Sequence, residues 1–105
     1  MICREIVHTC SNYHVARAAV DSIGGEFARV FSESASRRSM SRGAFAACIV
    51  REFGDKADAD EHQSVTRAAQ GSEQPVLTGL RYILERAVRE ESPPAWMIAA
   101  TRACA

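Results

Sequence analysis

Hydrophobic side chains recur at three- and four-residue steps along much of the chain, which is the spacing of one face of an α-helix. The clearest example is the stretch 72–92, with apolar positions Val76, Leu77, Leu80, Ile83, Leu84, Ala87 and Val88. Ser72 is suited to cap this helix, and Pro75 is tolerated in its first turn. The Pro93–Pro94 pair cannot continue a helix. We therefore predict a helix over residues 73–91 and expect the core to be organised around it.

The first third of the chain carries the same helical spacing with two interruptions. Ser11-Asn12 can cap a new helix, because both side chains compete well for backbone N–H groups. Gly24-Gly25 weakens a helix, yet the apolar pattern continues across it, so we expect a kink or a close crossing there. The serine-rich stretch 32–38 (SESASRR) is polar and predicts the longest loop.

Further helices are predicted in the second half. Ser41 is a candidate N-cap for a helix that ends near Phe53, with Gly54 as its left-handed terminator. The stretch 55–70 predicts a surface helix with little apolar side chain to bury, and Pro93 predicts the start of a last helix. No segment shows the alternation of a strand. The fold class is therefore all-α: one compact domain over residues 1–105, built as a bundle of five or six short helices.

Composition narrows the function classes. The 105 residues are 47% hydrophobic and 25% charged, which is typical of a globular domain. Thirteen basic and thirteen acidic side chains cancel, so the broad positive field that drives non-specific nucleic-acid binding is missing. No apolar run is long enough to cross a membrane, and Arg4 and Glu5 interrupt the apolar start. We expect a cytosolic protein without a membrane partner.

Cysteine and histidine side chains offer the most tempting chemistry. Cys3, His8, Cys10 and His14 lie within twelve residues. On one helix, however, Cys3 and Cys10 would be about 10.5 Å apart along the axis, too far for one zinc ion to bind both. We therefore expect no metal and no cofactor. The four cysteines (Cys3, Cys10, Cys48 and Cys104) form no CxxC pair, and we expect all of them to be reduced.

Two groups of charged residues are candidate contact sites, although either group can also be ordinary solvated surface. The first is an acidic patch, composed of Asp55, Asp58, Asp60 and Glu61. The second comprises Arg37, Arg38 and Arg42 around a helix start, where it could contact phosphates or a partner. Residues 41–70 have the outline of a helix-turn-helix, but the acidic start of its second helix would be repelled by DNA.

These exclusions favour a small non-enzymatic module that binds and regulates a larger protein, as an inhibitor, without direct contact with nucleic acid. The small size and the acidic patch suit a mobile-element inhibitor of a host nucleic-acid machine, such as an anti-CRISPR protein, although no motif indicates one. The alternative is a DNA-binding transcriptional regulator that uses the three arginines. A third hypothesis is an enzyme with a Cys–His site assembled in space.

Overall fold

Six α-helices make up most of the described chain, and no strand occurs within residues 2–88. The computed structural model describes residues 2–88, with side chains from Arg4 onward. The helices are α1 (Ile2–Cys10), α2 (Tyr13–Ile23), α3 (Gly25–Arg37), α4 (Arg42–Lys56), α5 (Ala59–Ala69) and α6 (Pro75–Val88). The all-α prediction is confirmed. The predicted helix after Pro93 lies outside the described residues.

Helix α6 is the centre of the bundle, as the apolar spacing predicted. It packs against each of the other five helices, and Leu80, Ile83 and Leu84 are fully buried in it. Ser72 is not its N-cap, because the Gln74 carbonyl accepts the first helical hydrogen bond. The Ser72 hydroxyl instead accepts the Gln74 N–H at 3.1 Å, so it orders the turn before the helix.

Two predicted interruptions separate the first three helices. The Asn12 side chain accepts the N–H groups of His14 and Val15 at 2.9 and 3.4 Å, so it caps α2 directly after α1 ends. Gly24 alone joins α2 to α3 and has a φ of 63°, a conformation that favours glycine. The chain therefore kinks at Gly24-Gly25 without a loop, as predicted.

The predicted loop at residues 32–38 is wrong, because α3 continues through most of it. Phe31, Ser34 and Ala35 share one helix face and are buried, and the Phe31 ring stacks on Phe45 of α4 at a centroid distance of 5.1 Å. Burial of that face outweighs the weak helix preference of serine. The short connection to α4 follows at residues 38–41.

The predicted helix end at Gly54 is also wrong. Helix α4 begins after Ser41, whose hydroxyl accepts the Ala44 N–H at 3.1 Å, but it runs on to Lys56. Gly54 stays helical, and a Cβ built on it would lie 2.6 Å from Cγ1 of Val7. Glycine is therefore needed at this position because α1 crosses α4 there.

Helix α5 lies at the edge of the bundle, as its polar composition predicted. Only Val65 and Ala69 of α5 are buried. Asp58 caps the helix, and Gly71, with a φ of 79°, follows its end. Within the described part of the chain, no helix is long and apolar enough to cross a membrane.

Candidate functional site

The turn between α4 and α5 exposes three carboxylates, which we call the acidic surface: Asp55, Asp58 and Asp60. Asp55 lies in the last turn of α4, and Asp60 lies in the first turn of α5. Asp58 is the N-cap between them, with its carboxylate accepting the Glu61 N–H at 2.9 Å. Three of the four residues predicted as an acidic patch are thus presented to solvent within one turn of the chain.

Glu61, the fourth predicted member, is paired with Arg86 and is not part of the exposed surface. Its Oε2 lies 2.8 Å from Nη1 of Arg86, and its side chain is only 20% exposed. This ion pair connects α5 with α6, the central helix. Glu61 therefore contributes to packing between the two helices and adds little negative charge to the acidic surface.

The nearest cation in sequence does not neutralise the acidic surface. Nζ of Lys56 lies 3.4 Å from Oε2 of Glu52, one turn back on α4. Asp55 and Asp60 form no salt bridge with any described residue. The positive end of the α5 dipole offsets part of the charge on Asp58 and Asp60, but the turn as a whole remains negative.

The three arginines predicted as a phosphate site do not form one open cluster. Arg42 binds Asp21 of α2 with two hydrogen bonds, from Nε at 2.6 Å and from Nη2 at 3.1 Å. Arg38 donates to the Ser34 carbonyl at 3.0 Å, and its guanidinium lies over the Phe45 ring. Arg37 donates to the Ser34 hydroxyl at 3.2 Å.

Each of these arginines thus has an intramolecular partner. The Arg42 guanidinium holds the pKa of the Asp21 carboxyl below its usual range, chiefly through these hydrogen bonds. A phosphate would have to compete with these contacts, and nothing in this arrangement gives DNA binding additional support.

The cysteines divide between two states. Cys10 is a free thiol and is fully buried, and burial raises its pKa, so the reactive thiolate is disfavoured. Cys48 is held in a disulfide. The prediction that all four cysteines are reduced is therefore wrong at Cys48. Cys3 and Cys104 lie outside the described side chains.

Two of the described histidines lie against aromatic rings. His62 is partly buried with its ring centroid 4.8 Å from that of Phe53, whereas His14 is exposed beside Tyr13. Among residues 4–88, no three histidine, cysteine or acidic side chains lie close enough together to hold a metal ion.

A groove of about 650 Å³ lies between α1 and α5, and the sequence analysis missed it. Its lining is Arg4 and Val7 of α1, Gly54 of α4, and Ala59, His62, Gln63, Thr66, Arg67 and Gln70 of α5. The α5 residues recur at three- and four-residue steps, and this spacing could have identified a shared face. These α5 side chains are mostly polar, which suggested a face in contact with water only. No local sequence pattern shows that α1 forms the opposite wall of the groove.

Comparisons of the chain with profiles of protein families, with curated proteins and with solved structures found no match.

Proposed function

We propose that this chain is a small non-enzymatic module that regulates a larger protein by docking on it, with the acidic surface facing a basic patch of the partner. The observation that carries the proposal is the exposure of Asp55, Asp58 and Asp60 on one turn whose only lysine is paired with Glu52. Unneutralised charge of one sign attracts a partner of opposite sign and speeds association.

The inhibitory role and the setting belong to the same proposal. A mobile-element inhibitor of a host nucleic-acid machine suits this chemistry, because such machines carry basic surfaces against which the acidic surface can dock. The sequence predicted a cytosolic setting, but Cys48 is in a disulfide, and structural disulfides are uncommon in that compartment.

The test begins with two variants of equal net charge. Asp55→Lys plus Asp60→Lys reverses the acidic surface and leaves the cap Asp58 intact. The control, Glu5→Lys plus Glu73→Lys, makes the same change in net charge at exposed positions on α1 and before α6 that form no salt bridge with a described residue. Neither pair touches the buried core, so both variants should keep a native far-UV circular dichroism spectrum.

Affinity capture from the native host, followed by mass spectrometry, should identify a partner with the wild-type chain and with the control variant. The association rate of that partner, measured by biolayer interferometry, should fall at least fivefold for the Asp55/Asp60 variant at low salt. The dissociation rate should change much less, because steering acts mainly on encounter. Equal association rates for the two variants would assign the acidic surface to solvation alone.

A duplex-binding assay separates the proposal from the alternative of a DNA-binding regulator. We expect no salt-sensitive binding of duplex DNA by the wild-type chain. A sub-micromolar complex with duplex DNA that is lost in Arg37→Ala plus Arg38→Ala would contradict protein docking and favour the DNA-binding alternative.

A further inference from the structure

The groove between α1 and α5 differs from the acidic surface in both shape and charge. It follows the face of α5 that is turned toward α1, from Ala59 to Gln70, a distance of about 16 Å at 1.5 Å per residue. Its volume of about 650 Å³ lies within the range of small-molecule sites in proteins. The groove is therefore long enough and large enough for an extended small molecule.

Apolar groups form the body of the groove. Val7 of α1 and Ala59 of α5 contribute aliphatic surface, and the Thr66 side chain lies between the ends of the α5 face. The Thr66 hydroxyl donates to the His62 carbonyl at 3.1 Å, so its bonding is satisfied within α5. A ligand in contact with these residues would bury apolar surface and would meet few unsatisfied polar groups.

Charge in the groove has one sign. Arg4 and Arg67 lie in its lining, and no aspartate or glutamate does. Neither arginine forms a salt bridge with a described residue, in contrast to Arg29, Arg42 and Arg86. A carboxylate between two guanidinium groups gains charge-assisted hydrogen bonds, so the groove favours an anionic ligand.

From this combination we propose that the groove is a binding site for a soluble anionic amphiphile, such as a medium-chain carboxylate. The alkyl body lies along Val7, Ala59 and Thr66, and the carboxylate pairs with Arg4 and Arg67. This site shares no residue with the acidic surface, and its carboxylate end at Arg67 is about two helical turns from Ala59, which adjoins that surface in the sequence.

Three probes separate the parts of the proposal in an NMR titration of the isotopically labelled full chain. Decanoate, used below its aggregation concentration, should bind saturably, with the largest shifts at Arg67, Thr66 and Val7. Decylammonium carries the same chain with the opposite charge and should bind at least tenfold more weakly. Butyrate has the charge without the chain and should also bind at least tenfold more weakly. Shifts spread over the whole surface, or no saturable decanoate binding, would overturn the proposal.

Matched variants test the charge requirement. Arg4→Gln plus Arg67→Gln should raise the decanoate Kd at least tenfold, because both guanidinium groups are lost. The control Arg17→Gln removes an exposed arginine of α2 outside the groove and should leave the Kd within twofold. All variants are exposed-site changes, and a native circular dichroism spectrum checks that each one folds. An unchanged Kd in the double variant would overturn the assignment of the arginines.

A last comparison distinguishes a soluble ligand from a lipid surface. Vesicles of phosphatidylglycerol mixed with phosphatidylcholine present anionic head groups, but their acyl chains are held in a bilayer. Co-sedimentation of the chain with them should stay at the level of pure phosphatidylcholine vesicles. Arg67-dependent co-sedimentation, together with absence of decanoate binding, would replace the soluble ligand by a membrane surface.

Discussion

Gly79→Ala probes the contact on which the centre of the bundle depends. A Cβ built on Gly79 would overlap Cδ1 of Ile6 in α1 and would lie 3.4 Å from Cγ1 of Val65 and 3.7 Å from Cβ of Ala69 in α5. Gly79 is itself buried. Helices α1 and α5 thus both approach α6 at the one position where α6 has no side chain.

Two effects of opposite sign decide the outcome. Alanine favours the helical state over glycine by about 1 kcal/mol. Forcing a methyl group into a filled core costs about 1–3 kcal/mol. The end of the Ile6 side chain is flexible, but Ile6 has no exposed surface into which it could move. The net expectation is a loss of about 1 kcal/mol, which for a domain of this size lowers the Tm by about 4–8 °C.

Thermal unfolding followed by circular dichroism measures this change, and a second substitution identifies its cause. Ile6→Val deletes the atom that the new methyl would meet and costs about 0.5–1.5 kcal/mol by itself. In the double variant with Gly79→Ala, the total loss of unfolding free energy should be clearly smaller than the sum of the two single losses, with a coupling of at least about 0.5 kcal/mol. A higher Tm for Gly79→Ala, or strict additivity, would refute the close approach of α1.

Three further outcomes follow from local contacts. Asn12→Ala should lower the free energy of unfolding by about 1 kcal/mol, because α2 loses its cap at an exposed site, whereas Asn12→Asp keeps the oxygen and should cost little; equal losses would contradict the capping role. Cys10 should react slowly with iodoacetamide in the native protein and rapidly in denaturant, as read by peptide-mapped mass spectrometry, because its raised pKa disfavours the thiolate up to a higher pH than in the unfolded chain. The stability linked to Cys10 is complete below the unfolded pKa and is lost as pH rises through the folded one, so rapid native alkylation would contradict its burial. Arg42→Gln should raise the pKa of Asp21 toward its ordinary value, as measured by a carboxyl NMR titration. In the wild type, the stability linked to Asp21 is present above that ordinary pKa and is lost as pH falls through the lowered pKa. An unchanged pKa in the variant would rule out the Arg42–Asp21 pair in solution.

Features that depend on a few neighbouring residues were predictable from the sequence. The period of α6, the cap at Asn12, the kink at Gly24 and the cap at Ser41 each rest on spacing or on one side chain that bonds its own backbone. The acidic surface was predictable for the same reason, since Asp55 in the last turn of α4 is close in sequence to the residues that begin α5.

Features that depend on contacts between distant segments could not be predicted. The stretch 32–38 has a loop composition, and it is helical because Phe31 and Ala35 meet α4. Glu61 has the same chemistry as Asp60, but only Glu61 finds Arg86, twenty-five residues away. The groove could not be predicted for the same reason, since its two walls, α1 and α5, are separated in the sequence by three other helices.

The glycines of α4 show how such contacts are nonetheless encoded. Gly43 and Gly54 are eleven residues apart, which brings them to within about 20° of the same helix face. A Cβ on Gly43 would lie 2.6 Å from the Tyr13 carbonyl oxygen, so α2 crosses at this end of α4. Gly54 allows the close approach of Val7 in α1 at the other end of α4.

The break between α1 and α2 therefore lies over the middle of one face of α4. There Arg51 donates from Nε and Nη2 to the Ser11 carbonyl at 3.1 and 2.9 Å, and these bonds satisfy a group left free at the end of α1. In one uninterrupted helix over residues 2–23, the Ser11 carbonyl would accept the N–H of Val15 and would not be left for Arg51. The cap at Asn12 and the two glycines of α4 are thus parts of one packing arrangement, in which the local break in one segment matches the two close approaches in the other.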